Sequence, residues 1–187
     1  MSLVRRVQQW VKGEAGGTAS DAPVPGARRI LLVCTGNICR SPIAEGVLRA
    51  KLAAAGLAQM AVVDSAGTHG YHTSEPPDPR AIRLAAARGY DIARLRARPV
   101  VPEDFERFDW MLALDEGHLE WLRKRGPQGH AVRLERLMDH ARRHPGVVEV
   151  PDPYYGPDAG FETVLDLVED ACDGVVTAIR ADTAPRA

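Results

Sequence analysis

The sequence predicts an α/β protein, a three-layer sandwich in which a parallel sheet is covered by helices on both faces. Three observations carry this. Short apolar runs alternate with longer segments of helical period from Arg28 to about Arg180. The first run, "RRILLVCTG", is apolar without a break from Ile30 to Cys34, as strands buried on both faces are. The links between segments are short, as repeated strand–helix units require.

The elements follow in order. "RRILLVCTG" reads as a buried strand and "SPIAEGVLRAKLAAAGL" as a helix, with Ser41 as cap, Pro42 in the first turn and Gly56 as stop. "MAVVDSAG" is a second strand. "DPRAIRLAAARGY" is a second helix, capped by Asp78, with Pro79 in its first turn and Gly89 near its end. "FDWMLALD" is a third strand and "EGHLEWLRKRG" a third helix. "HAVRLERLM" reads as a fourth strand with helical character near its end. From Phe161 to about Arg180, apolar residues recur at Phe161, Val164, Val168, Cys172, Val175 and Ile179, a helix laying one stripe on the core.

Residues 1–27 stand apart as an N-terminal extension, residues 28–183 form the domain, and 184–187 read as a disordered tail. Leu3, Val7, Trp10 and Val11 fall at helical spacing among basic residues, ahead of a flexible linker, "GEAGGTASDAPVPGA". Membrane contact through residues 3–12 is one reading. A frayed extension is favoured, because so short an isolated helix is marginal in water.

The 187 residues suit one domain with an appendage, and a net charge of −1 gives no ground for a nucleic-acid partner. Three cysteines, two of them in one loop, make a poor disulfide framework and point to a reducing compartment. No apolar run reaches the roughly 18–20 residues that span a bilayer. The N-terminus lacks the continuous apolar core of a signal peptide. The expectation is a cytoplasmic protein.

The chemistry gathers after the first strand, in "VCTGNICRSP". Ligands of open α/β sheets bind at the carboxyl ends of the strands. This loop also leads into a helix N-terminus, where free N–H groups and the dipole favour an anion. Cys34 opens the loop and Arg40 closes it. The five residues between, Thr35, Gly36, Asn37, Ile38 and Cys39, can curl so that several N–H groups point into one bowl. Gly36 permits the tight backbone and Asn37 tolerates left-handed geometry. Arg40 can grip two oxygens of a tetrahedral oxyanion. The dipole and Arg40 favour the thiolate of Cys34. One set of atoms thus supplies an anion site and a nucleophile, as attack on a phosphate ester requires. The spacing alone is a weak signal; Cys34 could be strand-end packing and Ser41 only a cap.

A second stretch adds weight. "VEVPDPYYGPD" places Asp152 in a proline-fenced loop beside Tyr154 and Tyr155. Expelling a phenolate calls for an acid at the leaving oxygen, and two tyrosines offer a wall for a flat aryl group. Taken alone, "DPYYG" also reads as an Asx-type turn.

Together "VCTGNICRSPIAEG", "DSAGTHGY", "PPDPRAI", "PEDFERFDWMLALDE" and "DPYYGPDAGFETV" resemble the low-molecular-weight protein tyrosine phosphatases, from about Arg28 to Arg180. The resemblance implies a Rossmann-like or flavodoxin-like fold with strand order 2-1-3-4. It implies phosphotyrosine hydrolysis through a phosphocysteine on Cys34, with Arg40 binding phosphate and Ser41 bonding the thiolate. Asn37 would hold the loop, and Asp152 would act as acid and then base. Tyr71 would stand on the pocket rim opposite Tyr154 and Tyr155. No metal or organic cofactor is implied. The implied partner is a phosphotyrosine protein, and bacterial relatives often act on autophosphorylated tyrosine kinases.

One position departs from the family. Its histidine, in a His-x-Ala-Arg context, supports the loop asparagine; here "RLRAR" puts Leu95 there, so support for Asn37 must come from elsewhere. Three other readings share the loop. Thioredoxin-coupled arsenate reductases need further cysteines, and residues 60–130 have none. Phosphoarginine phosphatases carry Thr where this chain has Ile38, whose apolar bulk favours an aryl phosphate. A non-catalytic phosphotyrosine-binding module would have lost the nucleophile or the acid. Cys39 is read as a redox partner of Cys34 ahead of a packing role, and Cys172 as core. His140 and His144 have a spacing that can hold a metal on a helix, but no third ligand is evident. Asp115 is read as a helix cap or as a support to the site.

Overall fold

The computed structural model describes residues 23–183. The proposed helix over residues 3–12 and the tail at 184–187 lie outside the described residues. Four strands form one parallel sheet in the order β2-β1-β3-β4: β1 (Arg28–Cys34), β2 (Ala61–Gly67), β3 (Trp110–Ala113) and β4 (Arg133–Arg136). The order 2-1-3-4 expected from the resemblance is the order found.

The period of two along β1 explains the layers. Ile30, Leu32 and Cys34 point to one face, where they pack with Ile43, Val47, Leu48 and Leu52 of α1 (Arg40–Ala54). Leu84 of α2 (Pro79–Ala87) joins that layer, as do Phe161, Val168 and Val175 of α5 (Asp158–Thr183). Leu31 and Val33 point the other way, against Phe105 of α3 (Asp104–Arg107) and Leu119 and Leu122 of α4 (Glu116–Arg125). Every residue of β1 from Ile30 to Val33 is fully buried. Each such aliphatic side chain contributes about 1.5–3 kcal/mol relative to exposure.

The cap of α2 and the stop of α1 follow the sequence; the cap of α1 does not. Asp78 caps α2 by accepting from the Arg80 N–H at 2.8 Å, with Pro79 at the first position. Gly56, at φ +70°, ends the α1 segment in the left-handed turn that glycine favours. Ser41, expected as the cap of α1, lies inside the helix. The first turn begins at Arg40, Cys39 sits at the cap, and no side chain closes it. The Ser41 hydroxyl is spent on the loop instead.

The strands are shorter than the apolar runs. β3 covers Trp110–Ala113 of the expected "FDWMLALD", and β4 covers Arg133–Arg136. The helical character expected after β4 is a 3-10 turn, Leu137–His140. The four-residue α3 was not foreseen, because one turn carries no period. α5 runs beyond the expected Phe161–Arg180 at both ends. Cys172 is fully buried on its core stripe, as expected.

Candidate active site

The sheet delivers the loop to its carboxyl edge. Cys34 ends β1 opposite Gly67, the last residue of β2. A Cβ on Gly67 would stand 2.6 Å from the Thr35 carbonyl oxygen, so only glycine lets the loop lie this close. The loop then turns at Asn37, whose φ is +57°.

Asn37 answers the question left by Leu95. Its Nδ2 donates to Ser41 Oγ and to Ser65 Oγ, both at 2.9 Å, and its Oδ1 accepts from the Arg98 N–H at 3.0 Å. All three groups are buried or partly buried, and none is a histidine. Ser65 in turn donates to Glu45 Oε2 at 2.5 Å. Burial raises the pKa of Glu45 above the ordinary carboxylate range, and the bond from Ser65 and the charge of Arg49 only partly offset this. Ser65 lies in the quoted "DSAG" and Glu45 in "IAEG", but no pattern of spacing announced that they share a network.

The nucleophile candidate sits within this scaffold. Cys34 Sγ lies 3.0 Å from Ser41 Oγ and accepts from the Asn37 N–H at 3.3 Å. Both are hydrogen-bonding partners suited to a thiolate. Cys34, Cys39 and Cys172 are free thiols. Burial first, then Asp78, pushes the Cys39 thiol far above the ordinary cysteine range.

Arg40 closes the loop with its guanidinium buried among four oxygens. Nη1 donates to Asp115 Oδ2 at 2.8 Å and to the Val150 carbonyl at 3.2 Å. Nη2 donates to Asp152 Oδ2 at 2.8 Å and to Thr35 Oγ1 at 3.3 Å. Asp115 fills both of its expected roles at once: it caps α4 through the His118 N–H and it holds Arg40. Burial works against its ionisation, but the backbone and ring of His118, and then Arg40, hold its carboxyl down at about 2.

The acid candidate comes from the far side. Asp152 is half-exposed and accepts from the Tyr154 N–H at 3.2 Å, the Asx-type turn expected of "DPYYG". The loop carrying it has no regular structure and is tied down by Arg80. That guanidinium donates to the Tyr154 and Gly156 carbonyls, both at 2.9 Å, pairs with Asp78 and stacks over Phe161. The Asp78 N–H reaches the Ile38 carbonyl at 2.8 Å. Asp78 and Arg80 therefore link the Cys34 loop to the Asp152 loop, a role the sequence reading did not assign.

Thr35, Gly36, Ile38, Cys39, Tyr71, Tyr154 and Tyr155 join Cys34, Arg40 and Asp152 around one cleft of about 210 Å³. Of the expected site residues, Asn37 and Ser41 lie behind the loop rather than on the cleft. Tyr71 is largely exposed and stacks on His69, with ring centroids 5.0 Å apart. Tyr155 is 97% exposed and meets Tyr154 edge-on. His72, missed by the sequence reading, also lines the cleft beside Gly36 and pairs with Glu75 at 2.7 Å. Its place next to Tyr71 was the only signal available. His140 and His144 do not converge: His140 bonds Glu135, and His144 bonds the buried Asp170. Among the described residues, no group of three or more His, Cys, Asp or Glu could hold a metal ion. Also among them, no helix is long and apolar enough to cross a membrane.

Comparison with known proteins accords with this geometry. The profile of the low molecular weight phosphotyrosine protein phosphatases matches residues 29–184. A low molecular weight protein-tyrosine-phosphatase of Streptomyces coelicolor is 45% identical over 162 residues, 85% of this chain and 98% of that protein. The human low molecular weight phosphotyrosine protein phosphatase is 37% identical over 147 residues, 78% of this chain and 91% of that one. A crystal structure of a protein tyrosine phosphatase from Entamoeba histolytica, with Hepes in its active site, superposes with a TM-score of 0.80 at 35% identity. That match covers 84% of this chain and all of that one. A profile match along nearly the whole described chain, and relatives of this identity matched along almost their full length, place the chain in the low molecular weight phosphotyrosine protein phosphatase family.

Proposed function

We propose that the protein hydrolyses phosphotyrosine in proteins through a phosphocysteine on Cys34. The observation that carries this reading is the convergence of Cys34 and Arg40, from one loop, and Asp152, from a distant one, on one cleft. In the first step the Cys34 thiolate attacks phosphorus in line with the leaving phenolate, while loop N–H groups and Arg40 take the phosphoryl oxygens. An incoming dianion competes with Asp152 for the Arg40 guanidinium. Displaced from that cation, the Asp152 carboxyl can deliver a proton to the leaving oxygen. As a carboxylate again, it takes a proton from the water that attacks the phosphocysteine, releasing inorganic phosphate and the Cys34 thiolate.

Ser41 and Asn37 stabilise the thiolate and the loop, so their part is to set geometry. Ile38, Tyr71, His72, Tyr154 and Tyr155 surround the ring of the substrate. The cleft is small beside the roughly 300–1,000 Å³ of sites that engulf a drug-sized ligand. It suits the aryl phosphate head, leaving the rest of the protein substrate on the exposed tyrosine rim. An autophosphorylated tyrosine kinase is a substrate of suitable chemistry, since its phosphotyrosines lie on accessible chain. A panel of phosphotyrosine, phosphoserine and phosphoarginine peptides, run on wild type and Cys34→Ser, tests the reading. Hydrolysis confined to phosphotyrosine and lost in Cys34→Ser is expected. Preference for phosphoarginine, or turnover retained in Cys34→Ser, would overturn it.

A further inference from the structure

His118 has no part in the mechanism above, yet it is only 5% exposed and meets two side chains that bond the guanidinium of Arg40. Its two ring nitrogens face the two side chains that grip that guanidinium from within. Nε2 is 2.9 Å from Thr35 Oγ1. Nδ1 stands 2.9 Å from Asp115 Oδ1, off the straight hydrogen-bond line, while the His118 backbone N–H donates to the same oxygen at 2.8 Å. Thr35 Oγ1 accepts from Arg40 Nη2, and Asp115 Oδ2 accepts from Arg40 Nη1.

Three hydrogen bonds and the close Nδ1–Asp115 approach place these groups in a ring with a consistent proton order. Arg40 can only donate, so Thr35 Oγ1 accepts from it and has its own O–H to give to His118 Nε2. The imidazole proton then sits on Nδ1, facing the Asp115 carboxylate. The carboxylate's other oxygen returns to Arg40. Of the four oxygens around the guanidinium, Asp152 is the one a substrate dianion displaces. The Val150 carbonyl, Thr35 and Asp115 remain, and His118 meets the last two.

We infer that His118 is a positioning residue for the phosphate-binding arginine, acting through Thr35 on one side and Asp115 on the other. The inference rests on the assignment of Arg40 as the phosphate-binding group. It predicts that losing the Thr35 link weakens oxyanion binding without unfolding the protein. One hydrogen bond beside a charged group corresponds to a roughly three- to tenfold loss of affinity.

The test is competitive inhibition by inorganic phosphate, measured for the full chain. Thr35→Val keeps the shape and removes the hydroxyl; it should raise the inhibition constant three- to tenfold with little change in Tm. Thr35→Ser restores the hydroxyl and should recover most of that affinity. His118→Gln can still accept from Thr35 and should lose less than His118→Ala. Combining Thr35→Val with His118→Ala should cost less than the product of the two separate losses, because both cut the same circuit. Thr35→Val binding phosphate as wild type does, or the two losses multiplying, overturns the inference. Arg40→Ala separates this from failure of the wider reading. If Arg40→Ala loses phosphate affinity while Thr35→Val does not, only the His118 circuit falls. If Arg40→Ala keeps wild-type affinity, both readings fall.

Discussion

Replacing Asn37 by alanine is the sharpest probe of how the loop is held without the family's histidine. The change removes both donations from Nδ2, to Ser41 and Ser65, and the acceptance at Oδ1 from the Arg98 N–H. At roughly 0.5–1.5 kcal/mol for each bond, the loss is about 2–4 kcal/mol. The part-buried Arg98 N–H is left without that acceptor, which places the result in the upper half of the range. A φ of +57° adds to the cost, since alanine tolerates the left-handed region less well than asparagine. At about 2–4 °C per kcal/mol for a protein of this size, Tm should fall by roughly 5–15 °C. Urea unfolding followed by circular dichroism gives the free energy directly. Asn37→Gly relieves only the backbone, so it should recover no more than about 1 kcal/mol. Leu95→His should not stabilise, because both Asn37 donors are already engaged and Leu95 packs against the core. A loss below about 0.5 kcal/mol in Asn37→Ala, or a clear gain in Leu95→His, would refute this account of the loop.

Three further outcomes follow from the geometry. Asp152→Ala should slow phosphotyrosine far more than p-nitrophenyl phosphate, whose leaving group needs no proton; equal losses would remove Asp152 from the acid role. The Asp170 carboxyl is penalised by burial, but His144 and the N–H groups of Arg142 and Arg143 outweigh this and hold it at about 2. A depressed carboxyl stabilises the fold above its ordinary pKa of 3.8, and that stability is lost as pH falls toward 2. Asp170→Asn should therefore cost stability at pH 6, and the gap from wild type should narrow on acid titration; a gap independent of pH would be the contrary result. Finally, peroxide-treated wild type should regain activity in dithiothreitol and Cys39→Ser much less, if Cys39 resolves oxidised Cys34. Because burial keeps the Cys39 thiol protonated, that rescue should be slow; equal recovery of both proteins would make Cys39 a packing residue.

Much of the site was legible because its chemistry is local in the chain. Cys34, Arg40 and the residues between them occupy one loop, and a strand before and a helix after fix where that loop lies. Asp152 could be placed by chemistry, since "DPYYG" offers an acid beside aromatic rings. What escaped reading lies across long sequence separations. Ser65 and Glu45 are twenty residues apart and meet only because β2 packs on α1. His118 looked like part of a helix start, and its contact with Thr35, 83 residues away, depends on the pairing of β1 with β3. Ser41 was read both as a cap and, by resemblance, as a partner of the Cys34 thiol; it lies inside the helix and keeps the second contact. Arg80 sits in a stretch quoted for its resemblance, yet its grip on the Tyr154 and Gly156 carbonyls is invisible without the fold. Strand ends were overestimated because an apolar run continues past the last paired residue, as Leu114 does after β3.

The central claim is that catalysis passes through a covalent phosphate on Cys34. Asp152→Ala is suited to trapping it, because p-nitrophenyl phosphate can still phosphorylate the cysteine while the water step lacks its base. Acid quenching during turnover, followed by peptide mass spectrometry, should find one phosphoryl group on the peptide bearing Cys34, and none in Cys34→Ser. Continued turnover with Cys34 unmodified at every time point, or a phosphoryl group carried by another residue, would contradict the account.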